Sequence, residues 1–214
     1  MPVFFRSGVV AKYALIYVHG FLSSGQARKA SLTREYLAQN QPEISFYAPD
    51  LPDAPAAAWA CLSQLATSLQ RSGAKLGFIG GSMGGFFAMY LAPQFKARAC
   101  LVNPCVDPYS LLPPKPTKMV NPYTKNEFVI DDSYKAILRS IEASHVITPQ
   151  NLALYLETGD EVLNYKVAQE KFKSLALPVT QIVTGGHHTF DHYAQYLPEM
   201  VNFLFSAPVN QALK

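Results

Sequence analysis

Gly80-Gly81-Ser82-Met83-Gly84 puts a serine at the centre of a G-x-S-x-G pattern, between an apolar run ending at Gly80 and another from Phe86 to Leu91. A serine hydroxyl attacks a carbonyl carbon well only when a base takes its proton. The flanking glycines permit a strand-to-helix turn sharp enough to expose that hydroxyl. As a string the pattern arises by chance on the order of 0.05 to 0.1 times in a chain of this length, since glycine makes up about 7% of average usage. Its setting between a strand-like and a helix-like run is what marks Ser82 as a nucleophile. A phosphate-binding loop is the rival reading, but G-x-x-x-x-G-K-[ST] is absent and no lysine follows Gly85.

A nucleophile of this kind requires a histidine after the last strand, held in its working tautomer by a carboxylate that lies between the two in the chain. His187 and His188 follow Gly185-Gly186 and the run Val179 to Val183, and their spacing alone does not choose between them. His19, before Gly20, is placed to shape a loop rather than to move protons, while His145 reads as structural and His192 as structural or part of the pocket wall. His187, His188, Asp191 and His192 also form a candidate metal cluster. Zinc needs three or four ligands in tetrahedral geometry, however, and close chain neighbours rarely all point at one atom, so no metal is expected. Thr158-Gly159-Asp160-Glu161-Val162 fills the carboxylate slot. Asp160, directly after a glycine at a strand's carboxyl end, is preferred to Glu161, Asp131 and Asp132. The backbone N–H groups of Met83 and of Phe21, in His19-Gly20-Phe21, are the candidate oxyanion donors.

Positioning these groups needs strands whose carboxyl ends converge. Short apolar runs alternate with stretches of helical period, the pattern of an α/β fold with a mostly parallel sheet of about six or seven strands and helices on both faces. The predicted strands are 13–18, 44–47, 75–80, 98–102, 152–157 and 179–183. The predicted helices run from a cap at Ser23 or Ser24 to about Asn40, then Ala56 to Gln70, Phe86 to Leu91, Tyr165 to Leu175 and about His192 to Phe205. Residues 104–149 interrupt the alternation with six prolines up to Pro122 and helical character only from Tyr134 to Ser144. This insertion is expected to cap the site, with Tyr109, Leu111, Leu112, Tyr123 and Phe128 lining an acyl pocket, inside a single domain spanning 1–214.

Composition narrows the partners. Hydrophobic residues make up 49% and charged residues 15% of the 214, which suits one well-packed core. The 18 basic and 15 acidic residues leave a net charge of +3 without a basic stripe, so nucleic acid is not an expected partner. No run approaches the ~20 apolar residues that span a bilayer, and Met1 to Val18 lacks a secretory pattern. Cys61, Cys100 and Cys105 have no C-x-x-C spacing, which fits a reducing cytoplasm.

The chain also resembles the small bacterial esterases of the YqiA type, compact α/β-hydrolases. The likeness runs through His19-Gly20-Phe21-Leu22-Ser23-Ser24, Gly80 to Gly85, Asn121-Pro122-Tyr123-Thr124, Thr158 to Leu163 and Gly185-Gly186-His187-His188-Thr189-Phe190. The resemblance implies that His188 rather than His187 is the base. It further implies ester hydrolysis, acyl thioesters among the substrates, and no metal or organic cofactor. Two departures are the segment Met1 to Lys12, which would add an edge strand, and the extra proline before Asn121. Thioester hydrolysis or acyl transfer on the same triad is the nearest alternative, and a non-catalytic binding module is the alternative of a different class.

Overall fold

The computed structural model describes residues 12–206. Its centre is a six-stranded, wholly parallel sheet. The strands are β1 (Tyr13–Val18), β2 (Ile44–Tyr47), β3 (Lys75–Ser82), β4 (Arg98–Pro104), β7 (Leu152–Glu157) and β8 (Val179–Val183), in spatial order β2-β1-β3-β4-β7-β8. Chain order reverses direction at β1, so β1 and β3 lie side by side in the middle with Val18 level with Gly80. Ligands of open α/β sheets bind at the strand ends beside such a reversal.

Both faces of β1, β3, β4 and β7 are covered, which is why these strands read as unbroken apolar runs, whereas the edge strand β8 alternates and leaves Thr180 and Ile182 exposed. Ala14, Ile16 and Val18 of β1 face a core shared with α2 (Pro55–Arg71), α3 (Met83–Gln94) and α5 (Tyr165–Phe172), while Leu15 and Tyr17 face a second core built on α1 (Arg28–Asn40) and α6 (Tyr193–Phe205). The α3 helix is apolar all round, with every residue from Met83 to Ala92 buried. No helix among the described residues is long and apolar enough to cross a membrane.

The boundaries depart from expectation in informative places. Neither Ser23 nor Ser24 caps α1. Its N-cap is Ala27, and Ser24 instead holds the preceding turn, its hydroxyl accepting from the Gln26 N–H and its carbonyl from the Ala27 N–H. Strands β3 and β4 run two residues further than predicted, up to Ser82 and Pro104, because their parallel pairing persists across Gly81 with a register shift at Ser82. Residues 104–149 hold an unpredicted antiparallel hairpin, β5 (Thr117–Val120) with β6 (Glu127–Ile130), followed by α4 (Asp132–Ser144), whose N-cap Asp131 accepts from the Tyr134 N–H at 3.0 Å. The hairpin turn is organised by buried Asn121, whose side-chain oxygen accepts from the N–H groups of Tyr123 and Thr124 while its amide donates to Asp53 at 2.6 Å. Apart from Lys12, the edge strand expected from Met1 to Lys12 lies outside the described residues.

Candidate active site

Ser82 is the last residue of β3 and the residue before α3, with φ 54° and ψ −125°. A non-glycine residue in this region costs roughly 1–3 kcal/mol and is kept where its surroundings enforce it. The enforcement is visible at Gly84, where any side chain would run into the Val18 carbonyl and push α3 off β1. Gly20, at the end of β1, also reaches the serine: a methyl there would stand 3.1 Å from Ser82 Cβ. Of the two residues expected to supply oxyanion donors, Phe21 follows Gly20, and Met83 opens α3, where the first helical N–H groups lack intrahelical acceptors. His19 fixes the Gly20 side. Its Nδ1 bonds the Gly20 carbonyl at 2.8 Å and its Nε2 accepts from the Leu51 N–H at 3.0 Å, an assignment that requires the neutral ring. Burial lowers the His19 pKa, in agreement with that state.

His188 follows β8 and Asp160 follows β7. Both carboxylate oxygens of Asp160 lie within hydrogen-bond distance of His188 Nδ1, at 2.9 and 3.0 Å. The Asp160 side chain is 1% exposed and that of His188 is 21% exposed. Oδ1 of Asp160 also accepts from the N–H groups of Val162 and Leu163. Both ring contacts of His188 are made through Nδ1, which leaves Nε2 for a hydroxyl or a substrate. Free sites commonly complete the serine–histidine hydrogen bond only in the substrate complex. Ser82 and His188 line one cavity of about 370 Å³ together with Tyr17, Gly20, Phe21, Lys29 and Tyr123.

The histidine-rich segment divides into three separate pairs: His188 with Asp160, His187 with Asp191 at 2.7 Å, and His192 with Glu157 at 2.7 Å. Among the described residues no group of three or more His, Cys, Asp or Glu is arranged to hold a metal ion. His187 is exposed, and its hydrogen bond to Asp191 raises its pKa.

The model of the uncharacterised protein family UPF0227, the YqiA-type family, matches residues 14–205. The chain belongs to that family. Solved structures similar to it include Est1E from Butyrivibrio proteoclasticus, 15% identical over 92% of this chain and 89% of the other with a TM-score of 0.68. The Paleococcus ferrophilus monoacylglycerol lipase is 14% identical over 92% and 96% with a TM-score of 0.64. The mouse alpha/beta hydrolase domain-containing protein 10 is 16% identical over 88% of each chain with a TM-score of 0.60. At these identities the likeness establishes the α/β-hydrolase fold.

In this UPF0227 chain the expected pocket residues are dispersed. Tyr123, 59% exposed, lines the cavity of Ser82, and Phe128 packs edge-on against Phe21 at 5.8 Å. Tyr109 instead donates to Glu142 at 2.8 Å, Leu112 is buried in the core beside α2 and α3, and Leu111 is 51% exposed; none of these three lines that cavity. Sequence reasoning missed a set of supporting residues. Glu157, whose side chain is fully buried, accepts from the N–H groups of His187 and Asp191 through Oε2, and from the N–H and Nδ1 of His192 through Oε1. Burial opposes ionisation of Glu157, but these hydrogen bonds outweigh it and hold the carboxyl below its usual range. Asn103 donates to the carbonyls of His187 and His188 and accepts from the Glu157 N–H, and Glu161 accepts from the His188 N–H at 2.9 Å. The available signal was a charged or amide residue closing an otherwise apolar strand, as Glu157 closes Leu-Ala-Leu-Tyr-Leu and Asn103 follows Ala-Cys-Leu-Val.

Proposed function

We propose that this chain is a serine esterase that hydrolyses carboxylic esters through an acyl-enzyme, with Ser82 as nucleophile, His188 as general base and Asp160 as its orienting acid. The observation that carries the reading is the buried Asp160 carboxylate on Nδ1 of His188, with His188 and Ser82 lining one cavity. Ser82 Oγ attacks the ester carbonyl while its proton passes to Nε2 of His188. The resulting oxyanion accepts from the N–H groups of Phe21 and Met83. Collapse expels the alcohol, which takes the proton from His188, and a water activated by the same nitrogen then releases the acid and regenerates Ser82. These steps need only the chain's own residues. The hairpin and α4 form a cap of one α/β-hydrolase domain, and the three free cysteines suit a cytoplasmic setting.

The test is hydrolysis of short p-nitrophenyl esters alongside fluorophosphonate labelling. Ser82→Ala and His188→Ala should each lower kcat by on the order of 10⁴-fold or more, because triad members act as a unit. His187→Ala should stay within about tenfold of wild type, since that residue touches none of the reacting atoms in this scheme. Wild-type rates and labelling in Ser82→Ala would refute the triad, and the reverse ranking of the histidines would move the base to His187.

A further inference from the structure

The cavity of Ser82 and His188 is also lined by Ala27, Arg28 and Lys29 at the start of α1. Lys29 Nζ donates to the Thr189 carbonyl at 2.9 Å. A methyl placed on Gly81 would lie 3.8 Å from that nitrogen. The ammonium therefore sits between the residue before the nucleophile and the residue after the base. Among the described residues it enters no ion pair. The acids nearby are committed elsewhere: Asp160 to His188 and two N–H groups, Glu157 to the His187–His192 segment, and the cavity-lining Asp191 to His187 and Thr189.

Lys29 is half-buried, and partly desolvating an ammonium without a carboxylate against it carries a cost. Burial accordingly lowers the pKa of Lys29, the charges of Glu157 and Asp160 oppose that effect, and Arg28 adds to it. The first turn of α1 holds no acidic residue and no side-chain cap, and two cations there run against the helix dipole. An anionic group in the cavity would relieve both costs.

We propose that Lys29, with Arg28 beside it, binds a carboxylate or phosphate oxyanion carried by the substrate a few bonds from the scissile carbonyl, making the preferred substrates anionic esters. The assignment rests on the esterase reading of Ser82, His188 and Asp160. Lys29 is a specificity residue in this scheme, and its place beside Gly81 and Thr189 limits how far the anion can stand from the reacting carbon.

The experiment compares p-nitrophenyl esters of matched length on the full chain: the succinate half ester, the phosphonopropionate ester and the neutral butyrate ester. With wild type, at least one anionic ester should exceed butyrate in kcat/KM by about tenfold, the worth of a charge-assisted hydrogen bond, mainly through KM. That ratio should fall as salt is raised. It should collapse towards one in Lys29→Met, persist in part in Lys29→Arg and drop less in Arg28→Gln. Because each ratio is taken within one variant, any disturbance of the His188 segment through Thr189 cancels. A preference for one anionic ester alone identifies the oxyanion. A wild-type ratio near one for both, or a preference that survives in Lys29→Met, overturns the assignment while leaving the esterase intact. If Ser82 neither turns over an ester nor labels with fluorophosphonate, the esterase reading fails and the Lys29 assignment falls with it.

Discussion

At the scale of residues, what distinguishes this site is how much of it consists of carboxylates that hold backbone rather than touch substrate. Glu157 binds three N–H groups and one imidazole of the segment that carries His188, and Gly186 must stay a glycine because at its φ of 73° any Cβ would overlap the Glu157 carboxylate. Replacing Glu157 with glutamine keeps the shape but turns an NH₂ donor towards the His187 and Asp191 N–H groups, or towards His192. A buried donor facing a donor costs about 1–3 kcal/mol, and displacing a catalytic group by about 1 Å costs on the order of a hundredfold in rate. Glu157→Gln should therefore lower kcat by about that factor with KM little changed; a fall in melting temperature with unaltered kcat would make Glu157 a purely structural residue. Ser82 and Asp160 were legible as candidates because each follows a glycine in a short local pattern, and His188 was set apart from His187 only by the resemblance to the YqiA-type family. Glu157 and Asn103 were not, since the groups they bind lie 30 and 84 residues away, a distance that no local pattern encodes.

Among the elements, the central parallel strands and their covering helices were readable because burial on both faces leaves long apolar runs. The β5–β6 hairpin was not: its strands are four residues long, carry lysine and glutamate, and expose alternate residues, so proline content dominated the reading. Once formed, the hairpin is pinned by Asn121 to Asp53, and it presents Tyr123 to the cavity while Leu111 faces solvent. Acyl-length preference should accordingly follow Tyr123. Over a two-carbon to ten-carbon series of p-nitrophenyl esters, Tyr123→Ala should shift the ratio of kcat/KM for long against short chains by several-fold, as expected when about 0.8 kcal/mol is at stake per buried methylene. Leu111→Ala should leave the profile unchanged. An altered profile in Leu111→Ala with none in Tyr123→Ala would mean that the cap takes up a different arrangement around the substrate.

Across the whole molecule, one carboxylate of the insertion ties it to two of the helices that cover the sheet. Glu142 of α4 accepts from Tyr90 of α3 at 2.9 Å, from Tyr109 at 2.8 Å and from Lys171 of α5 at 2.9 Å, and Lys171 also donates to the Val106 carbonyl. Burial works against ionisation of Glu142, yet the bonds from Lys171, Tyr109 and Tyr90 prevail and keep its carboxyl below the usual 4.5. Such a group adds stability that is fully present above the unfolded-state value. As pH falls towards the folded-state value, the unfolded chain takes up its proton first and that stability is lost. Glu157, depressed in the same way, adds to the same loss. On account of these two carboxylates the urea midpoint should therefore fall steadily below about pH 4.5, a decline separate from the earlier loss that buried, neutral His19 brings as pH drops below its ordinary 6.5. Glu142→Gln should lower the midpoint at neutral pH and flatten the acid limb, because the residue responsible for part of the slope no longer titrates. A variant with the wild-type slope would show that the cap is held to the body by its apolar contacts, Leu138 and Ile141 against the core, and that the Glu142 cluster contributes no pH dependence.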